Sequence, residues 1–305
     1  MRRFHHGSFQ DVRALLEMKG DATVSVCIPT LNEEETIGDI VTAIRSELMD
    51  AAPLVDEILV IDSDSTDNTQ TAASAAGAEV LLSRDIEPAT GSIPGKGENL
   101  WKSLIAARGD IICYLDGDIS NFHSGFVTGL VGPLLLDSGI GYVKAYYERP
   151  LVQGEFPAVT GGGRVSEILV RPIISMFYPE LAEVLQPLSG EYAARRAVLE
   201  TLAFPTGYGV EIAHLIDLAM SGRAPLIAQT DLVRRVHRNR DEGELGDAAF
   251  AILKVILRRL ERDRRLTLHG PIPDLHRRWL IDPEGALPID RIIAEPERPP
   301  LADIR

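Results

Sequence analysis

The sequence predicts an α/β protein with a doubly wound, mostly parallel sheet and an elaborated C-terminal part. Three observations carry that prediction. Short, wholly apolar runs such as Ile111-Ile112-Cys113-Tyr114-Leu115 read as strands buried on both faces. They alternate with helical stretches through the first half of the chain, which implies right-handed crossovers. Their C-terminal ends carry clusters of acids and hydroxyls, where open α/β sheets place their ligand crevice.

In chain order, residues 23–29 form a strand and 33–48 a helix. Residues 57–62 form the second strand, and 66–76 a helix with Asp64 or Ser65 as its cap. Residues 79–83 are a third strand, and 84–94 a polar, mobile loop with Pro and Gly. Residues 97–107 are helical, and 111–115 are the strand that precedes Asp116-Gly117-Asp118. Further on, 141–147 and 226–236 read as strands, and 164–177, 209–220 and 247–262 as helices, the last amphipathic and rich in Arg. The stretch 282–305 is rich in Pro and charge and reads as an arm or frayed tail. The expected organisation is a nucleotide-binding half over 20–135, a second half over 136–245 and an extension over 246–305. No internal repeat is present.

Composition bounds the function. The 305 residues carry a net charge of −14, which opposes nonspecific nucleic-acid binding. No run of about 18 apolar residues could span a membrane, and no signal segment follows the N-terminal Met1-Arg2-Arg3. A cytoplasmic protein is expected. Cys27 and Cys113, the two cysteines, fall inside predicted strands and read as core residues.

Asp116 and Asp118 place two hard oxygen donors one residue apart, which suits a divalent cation that also holds phosphate oxygens. An acidic turn after a strand would look the same. Pro29-Thr30-Leu31-Asn32-Glu33-Glu34 ends the first strand and Asp62-Ser63-Asp64-Ser65-Thr66-Asp67 the second. Each can hold a base and ribose or merely start a helix, and Asp62 is the member expected to face the crevice. Gly95-Lys96-Gly97 lets a lysine approach a diphosphate, but Thr90 and Gly97 stand where a P-loop needs Gly and Ser or Thr. No dinucleotide fingerprint follows the first strand. Gly161-Gly162-Gly163-Arg164 opens a helix with free backbone donors and a guanidinium, suited to an anion or to a hinge. His237 follows a strand, from where it could complete a metal shell, although a lone His is more often structural. Glu211 sits at a helix start, where dipole electrostatics alone would favour it.

In this order, these segments resemble the GT-A glycosyltransferases, whose acidic motif binds a nucleotide-sugar diphosphate through a metal. Pro29–Glu34, Asp62-Ser63, Pro94-Gly95-Lys96-Gly97-Glu98, Gly161-Gly162-Gly163-Arg164-Val165, Leu185-Gln186-Pro187-Leu188-Ser189-Gly190-Glu191-Tyr192, Gly207-Tyr208-Gly209-Val210-Glu211-Ile212 and His237-Arg238-Asn239-Arg240 are similar to the glucosyl- and mannosyl-3-phosphoglycerate synthases of glycosyltransferase family 81. The resemblance spans residues 23–245. It implies retaining transfer of a hexose to the 2-hydroxyl of 3-phosphoglycerate with Mg²⁺ (or Mn²⁺ or Co²⁺), in a homodimer. It implies Asp118 and His237 as metal ligands, with Asp116 and Gly117 near the ribose. Pro29, Leu31, Glu33, Asp62, Ser63 and Lys96 would hold the nucleotide. Gly163, Arg164, Ser166 and Asn239 would hold the acceptor, and Glu211 and the carbonyls near Leu188 would face the sugar. GDP-mannose is the expected donor, with glucosyl transfer from UDP-glucose or GDP-glucose as the alternative. A polyprenyl-phosphate glycosyltransferase, a nucleotidyltransferase and a non-catalytic nucleotide-sugar-binding protein are the other readings.

Overall fold

The computed structural model describes residues 1–148, 151–153, 156–158, 163–236, 242–283 and 285–304. In chain order its strands and helices are β1 (Arg2–His5), α1 (Val12–Lys19), β2 (Val24–Thr30), α2 (Ile37–Arg45), β3 (Glu57–Asp62), α3 (Thr69–Ala76), β4 (Glu79–Leu82), α4 (Lys96–Ala106), β5 (Ile111–Tyr114), α5 (Gly125–Leu136) and β6 (Tyr142–Glu148). There follow β7 (Leu151–Gln153), β8 (Phe156–Ala158), α6 (Arg171–Phe177), β9 (Tyr192–Arg195), α7 (Arg196–Leu199), β10 (Phe204–Pro205), α8 (Val210–Met220), β11 (Ile227–Arg234), α9 (Glu242–Arg262), β12 (Leu275–Asp282), β13 (Gly285–Ile292) and β14 (Glu297–Arg298).

One eight-stranded sheet runs in the order β1-β11-β6-β9-β5-β2-β3-β4. All its pairings are parallel except those of β9, which runs antiparallel to both β5 and β6. The C-terminal ends of the parallel strands therefore share one edge with the N-terminal end of β9. The expected halves meet in this single sheet, because β9 of the second half lies between β5 and β6.

Period-two alternation splits the core into two layers. Val26, Ile28, Ile111 and Cys113 face α1, α2, α3 and α5. Cys27, Ile112 and Tyr114 face α4, α6, α8 and α9. Both cysteines are free and buried.

Several expectations need correction. The helix expected from residue 33 starts at Ile37, because 33–36 form a turn closed by Thr36 and Ile37 N–H bonds to the Glu33 carbonyl. Asp64 and Ser65 do not cap α3. That helix starts at Thr69 after Asn68, and Ser65 donates to Asp62 instead. The loop expected to be mobile is anchored, since Lys102 reaches Thr90 Oγ1 at 2.8 Å and Arg298 reaches the Thr90 carbonyl at 2.8 Å. The tail is no frayed arm. β12 and β13 form a hairpin, β14 pairs with β10, Arg298 binds the fully buried Glu98 through both carboxylate oxygens at 2.7 Å, and Leu301 is buried. β1, α1, α5 and β9 lie outside the elements that the sequence predicts. α5 is buried all round and carries Pro133, and its Gly132 leaves room only for the Phe9 ring.

Candidate active site

The sheet's C-terminal edge gathers loops distant in sequence. The register sets Thr30 opposite Asp62, so the loops after β2 and β3 stand side by side. Asp62 lies beneath them. Its carboxylate accepts from Thr30 Oγ1 (3.0 Å), Ser65 N (2.8 Å), Ser65 Oγ (2.5 Å) and Gln70 Nε2 (2.8 Å). It is fully buried and does not face the crevice as expected. It braces the loops, because a buried carboxylate needs its lone pairs satisfied. Asn32, in the left-handed region at φ 58°, is bound by Ser65 and Thr66, which leaves Leu31 53% exposed at the edge. Pro29, Glu33 and Ser63 lie half-buried along the same loops. Ser63 bonds Asn99 of α4 at 3.0 Å.

The loop after β2 closes onto Gly117. Thr36 Oγ1 donates to its carbonyl, and a Cβ there would sit 3.1 Å from Thr30 Cγ2. Asp116 and Asp118 flank it, each with about a fifth of its side chain exposed (22% and 23%). Asp116 faces Lys96 Nζ at 2.5 Å, and Lys96 also reaches Glu211 Oε1 at 2.8 Å. Two helix starts make this bridge. The glycines on either side of Lys96 leave no room for side chains against Pro205 and Thr206, so the start of α4 docks on the segment that leads into α8 and Glu211. Burial opposes the Lys96 charge, but Asp116 and Glu211 outweigh it and hold the ammonium well above its ordinary pKa.

Arg235 closes the other side. Its Nη2 lies 2.9 Å from Asp116 Oδ2 and 2.6 Å from Asp118 Oδ1, and its Nε lies 2.7 Å from the fully buried Glu191. Tyr147 donates to the second Glu191 oxygen. Burial disfavours this guanidinium, and Glu191, Tyr147, Asp118 and Asp116 more than restore its charge. Gly190, just before Glu191, packs its Cα against the Asp116 carboxylate.

Hard carboxylate oxygens at a half-open crevice fit a divalent cation. Among the described residues no three His, Cys, Asp or Glu side chains stand close enough to form a metal shell. The expected ligand His237 lies outside the described residues, as does Asn239. Gly163 adopts φ 83°, Arg164 is half-buried and Ser166 is buried. The helical segment they open is tied to the 185–191 loop by Arg171, which donates to the Leu185 carbonyl. Leu188 in that loop is half-buried.

The structure thus joins Lys96, Asp116, Asp118 and Glu211. It adds three residues to which the sequence pattern assigns no role: Arg235, Glu191 and Lys144. A lone lysine in the apolar run Tyr142-Val143-Lys144-Ala145-Tyr146 was the legible signal for the last.

Residues 25–155 match the family model described as glycosyl transferase family 2. The chain is 48% identical over 305 residues to glucosyl-3-phosphoglycerate synthase of Petrotoga mobilis, covering 99% of this chain and 94% of that one. It is 47% identical over 244 residues to the synthase of that name from Mycobacterium tuberculosis, covering 79% and 74%. The crystal structure of the M. tuberculosis synthase with Mn²⁺, UDP and phosphoglyceric acid superposes with a TM-score of 0.87 at 38% identity, covering 100% of this chain and 99% of that one. These relatives favour the glucosyl alternative over the expected GDP-mannose reading, which is corrected accordingly. The chain belongs to the glucosyl-3-phosphoglycerate synthase family of GT-A glycosyltransferases.

Proposed function

We propose that the protein transfers glucose from UDP-glucose to the 2-hydroxyl of 3-phosphoglycerate with retention, using Mg²⁺ or Mn²⁺. The observation that carries this reading is Lys96 held between Asp116 and Glu211. An ammonium so placed can pass from carboxylates to a diphosphate. Relatives' crystals hold Mn²⁺ with UDP-glucose or with UDP and phosphoglyceric acid, the donor and acceptor proposed here. A bound cation held through Asp118 and His237 would neutralise charge on the departing diphosphate.

The chain's own residues supply the rest. Leu31, Glu33 and Ser63 line the nucleotide edge. Gly163 and Arg164, with Ser166 and Asn239, would take the acceptor's phosphate and carboxylate, a guanidinium being suited to both. Glu211 and the Leu188 carbonyl would face the sugar. The glucosyl C–O bond to UDP breaks as the bond to the acceptor oxygen forms, and the hydroxyl proton passes to the departing phosphate oxygen. No protein base is required.

The test is incubation with 3-phosphoglycerate, Mg²⁺ and UDP-glucose, GDP-glucose or GDP-mannose in separate arms, read by mass spectrometry. UDP-glucose should give the glucosyl product, and Asp118→Ala should not support it. Absence of product with every donor would refute the reading.

A further inference from the structure

We infer that Lys144 is a positioning residue of the active site: by holding the Ser189 carbonyl it fixes the loop that presents the Leu188 carbonyl to the donor sugar. This rests on the functional reading above.

Lys144 sits in the middle of β6 with no exposed surface. Burying an ammonium is costly unless it is paired and hydrogen-bonded, so a lysine here needs a reason that packing does not give. Its Nζ donates to the Ser189 carbonyl and lies 5.0 Å over the Tyr192 ring of β9. The charged groups that act on it all belong to the crevice: Glu211 at the start of α8, Lys96 at the start of α4, Glu191 before β9, and Asp116 after β5. Burial brings the ammonium down to about 7 against the raising fields of the three carboxylates.

The loop from Leu185 to Glu191 is stitched to the strand that carries Lys144. Ser189 Oγ donates to the Ala145 carbonyl at 2.7 Å, and Gln186 Nε2 to the Tyr147 carbonyl at 2.5 Å. The Ala145 N–H donates to the Glu191 carbonyl at 3.1 Å, and the Ser189 N–H to Gln186 at 3.2 Å. Ser189 is therefore held by its amide, its hydroxyl and its carbonyl. The Leu188 carbonyl shares a peptide plane with the Ser189 N–H, so the bond to Gln186 orients it, while Lys144 and the hydroxyl bond hold the Ser189 residue from which that plane extends. The same loop packs Gly190 on Asp116 and pairs Glu191 with Arg235. Lys144 thus ties the sugar-facing carbonyl and the acidic pair to one rigid strand, as preorganisation requires.

The test compares Lys144→Met and Lys144→Gln, which are similar in size, in the full chain with Mn²⁺. Met removes the donor, while the Gln amide can still reach a carbonyl. Lys144→Met should lower kcat about a hundredfold while UDP affinity, read by calorimetry, stays within about threefold, because a displaced catalytic group costs rate more than nucleotide binding. Lys144→Gln should recover part of the loss. Equal kcat in the two variants would mean packing alone and would overturn the inference, as would UDP affinity falling in step with kcat. If Lys144→Met does not fold, Ser189→Ala frees the loop's second tether and should slow turnover with UDP binding intact; full activity there overturns it. Amide exchange at Ser189 and Gly190 needs no turnover. It should be faster in Lys144→Met than in the unaltered chain, and unchanged exchange overturns the anchoring. An unaltered protein that makes no product instead refutes the functional reading.

Discussion

Lys96 and Arg235 divide the acidic pair between them: the ammonium takes one oxygen of Asp116, and the guanidinium takes the other together with Asp118. A nearly dry guanidinium shared by three carboxylates adds little net stability against its desolvation cost, and removing one partner strands a buried charge. The pair was legible in the sequence because both acids follow one apolar strand. Arg235 was not, because it is 119 residues from Asp116 and only the pairing of β11 with β6 brings it near. Asp62 shows the opposite failure. Its position promised a crevice ligand, but four donors had already claimed it. A second cluster of single residues includes His123, five residues after Asp118. His6 and His123 face each other at 5.4 Å near the start of α5, with His5 4.9 Å from His6. Burial lowers the pKa of His6 and His123 below 6.5, and the neighbouring imidazoles add to the effect on His6, while Asp231 and Glu47 oppose it. With folded pKa values lowered, the unfolded chain binds protons first. Stability is therefore full above pH 6.5 and is lost as pH falls below it. The melting temperature should drop between pH 7.5 and 5, and a His6→Gln, His123→Gln variant should drop less. Equal slopes would refute the linkage.

At the scale of elements, α4 has two jobs. Its first residue is Lys96, and two residues on, Glu98 binds Arg298 of the tail. Trp101 adds an N–H bond to the Pro299 carbonyl at 3.0 Å and a face for the Arg298 guanidinium at 5.2 Å. Docking of the tail thus holds the helix that presents Lys96. Arg298→Ala should cost about 3 kcal/mol in urea unfolding, since it strands a buried carboxylate. Adding Glu98→Gln should return part of that loss, and strict additivity of the two changes would refute the coupling. Pro and charge predict a frayed arm for the tail because they are also what a disordered end contains. Its order depends on partners in α4 and α9: Arg259 holds Glu297 at 2.6 Å, and Arg258 holds the Ala294 carbonyl at 2.9 Å. α5 is not legible in the sequence because a helix buried on all sides has no amphipathic period, and its glycines and Pro133 resemble breakers.

At the scale of the molecule, the hairpin β12–β13 carries apolar side chains into solvent, with Ile281 81%, Ile292 75% and Trp279 59% exposed. An open apolar hairpin of this kind is the sort of surface a partner chain covers, and the homodimer that the family resemblance implies would bury it. Sedimentation should show a dimer that becomes a monomer in Trp279→Ser, Ile281→Asp; a monomeric unaltered chain would refute this. Among the described residues no helix is long and apolar enough to cross a membrane.

The sequence by itself determined the alternating strands and helices, the strand tips that carry Asp116, Asp118 and Ser63, and the lysine between glycines. All of these depend on local hydrophobic period and on residues close in the chain. Only the tertiary structure decided that β9 enters the sheet antiparallel between β5 and β6, and that the tail docks on α4. It alone showed that Asp62 braces the strand-tip loops from below, that Arg235 pairs with Asp116 and Asp118, and that Glu191 and Lys144 lie buried behind them. Those outcomes depend on strand pairing and on which buried groups find partners, at separations that run from 32 residues for Asp62 and Thr30 to 200 for Glu98 and Arg298, and partner choice at that range is set by packing, which no local pattern encodes.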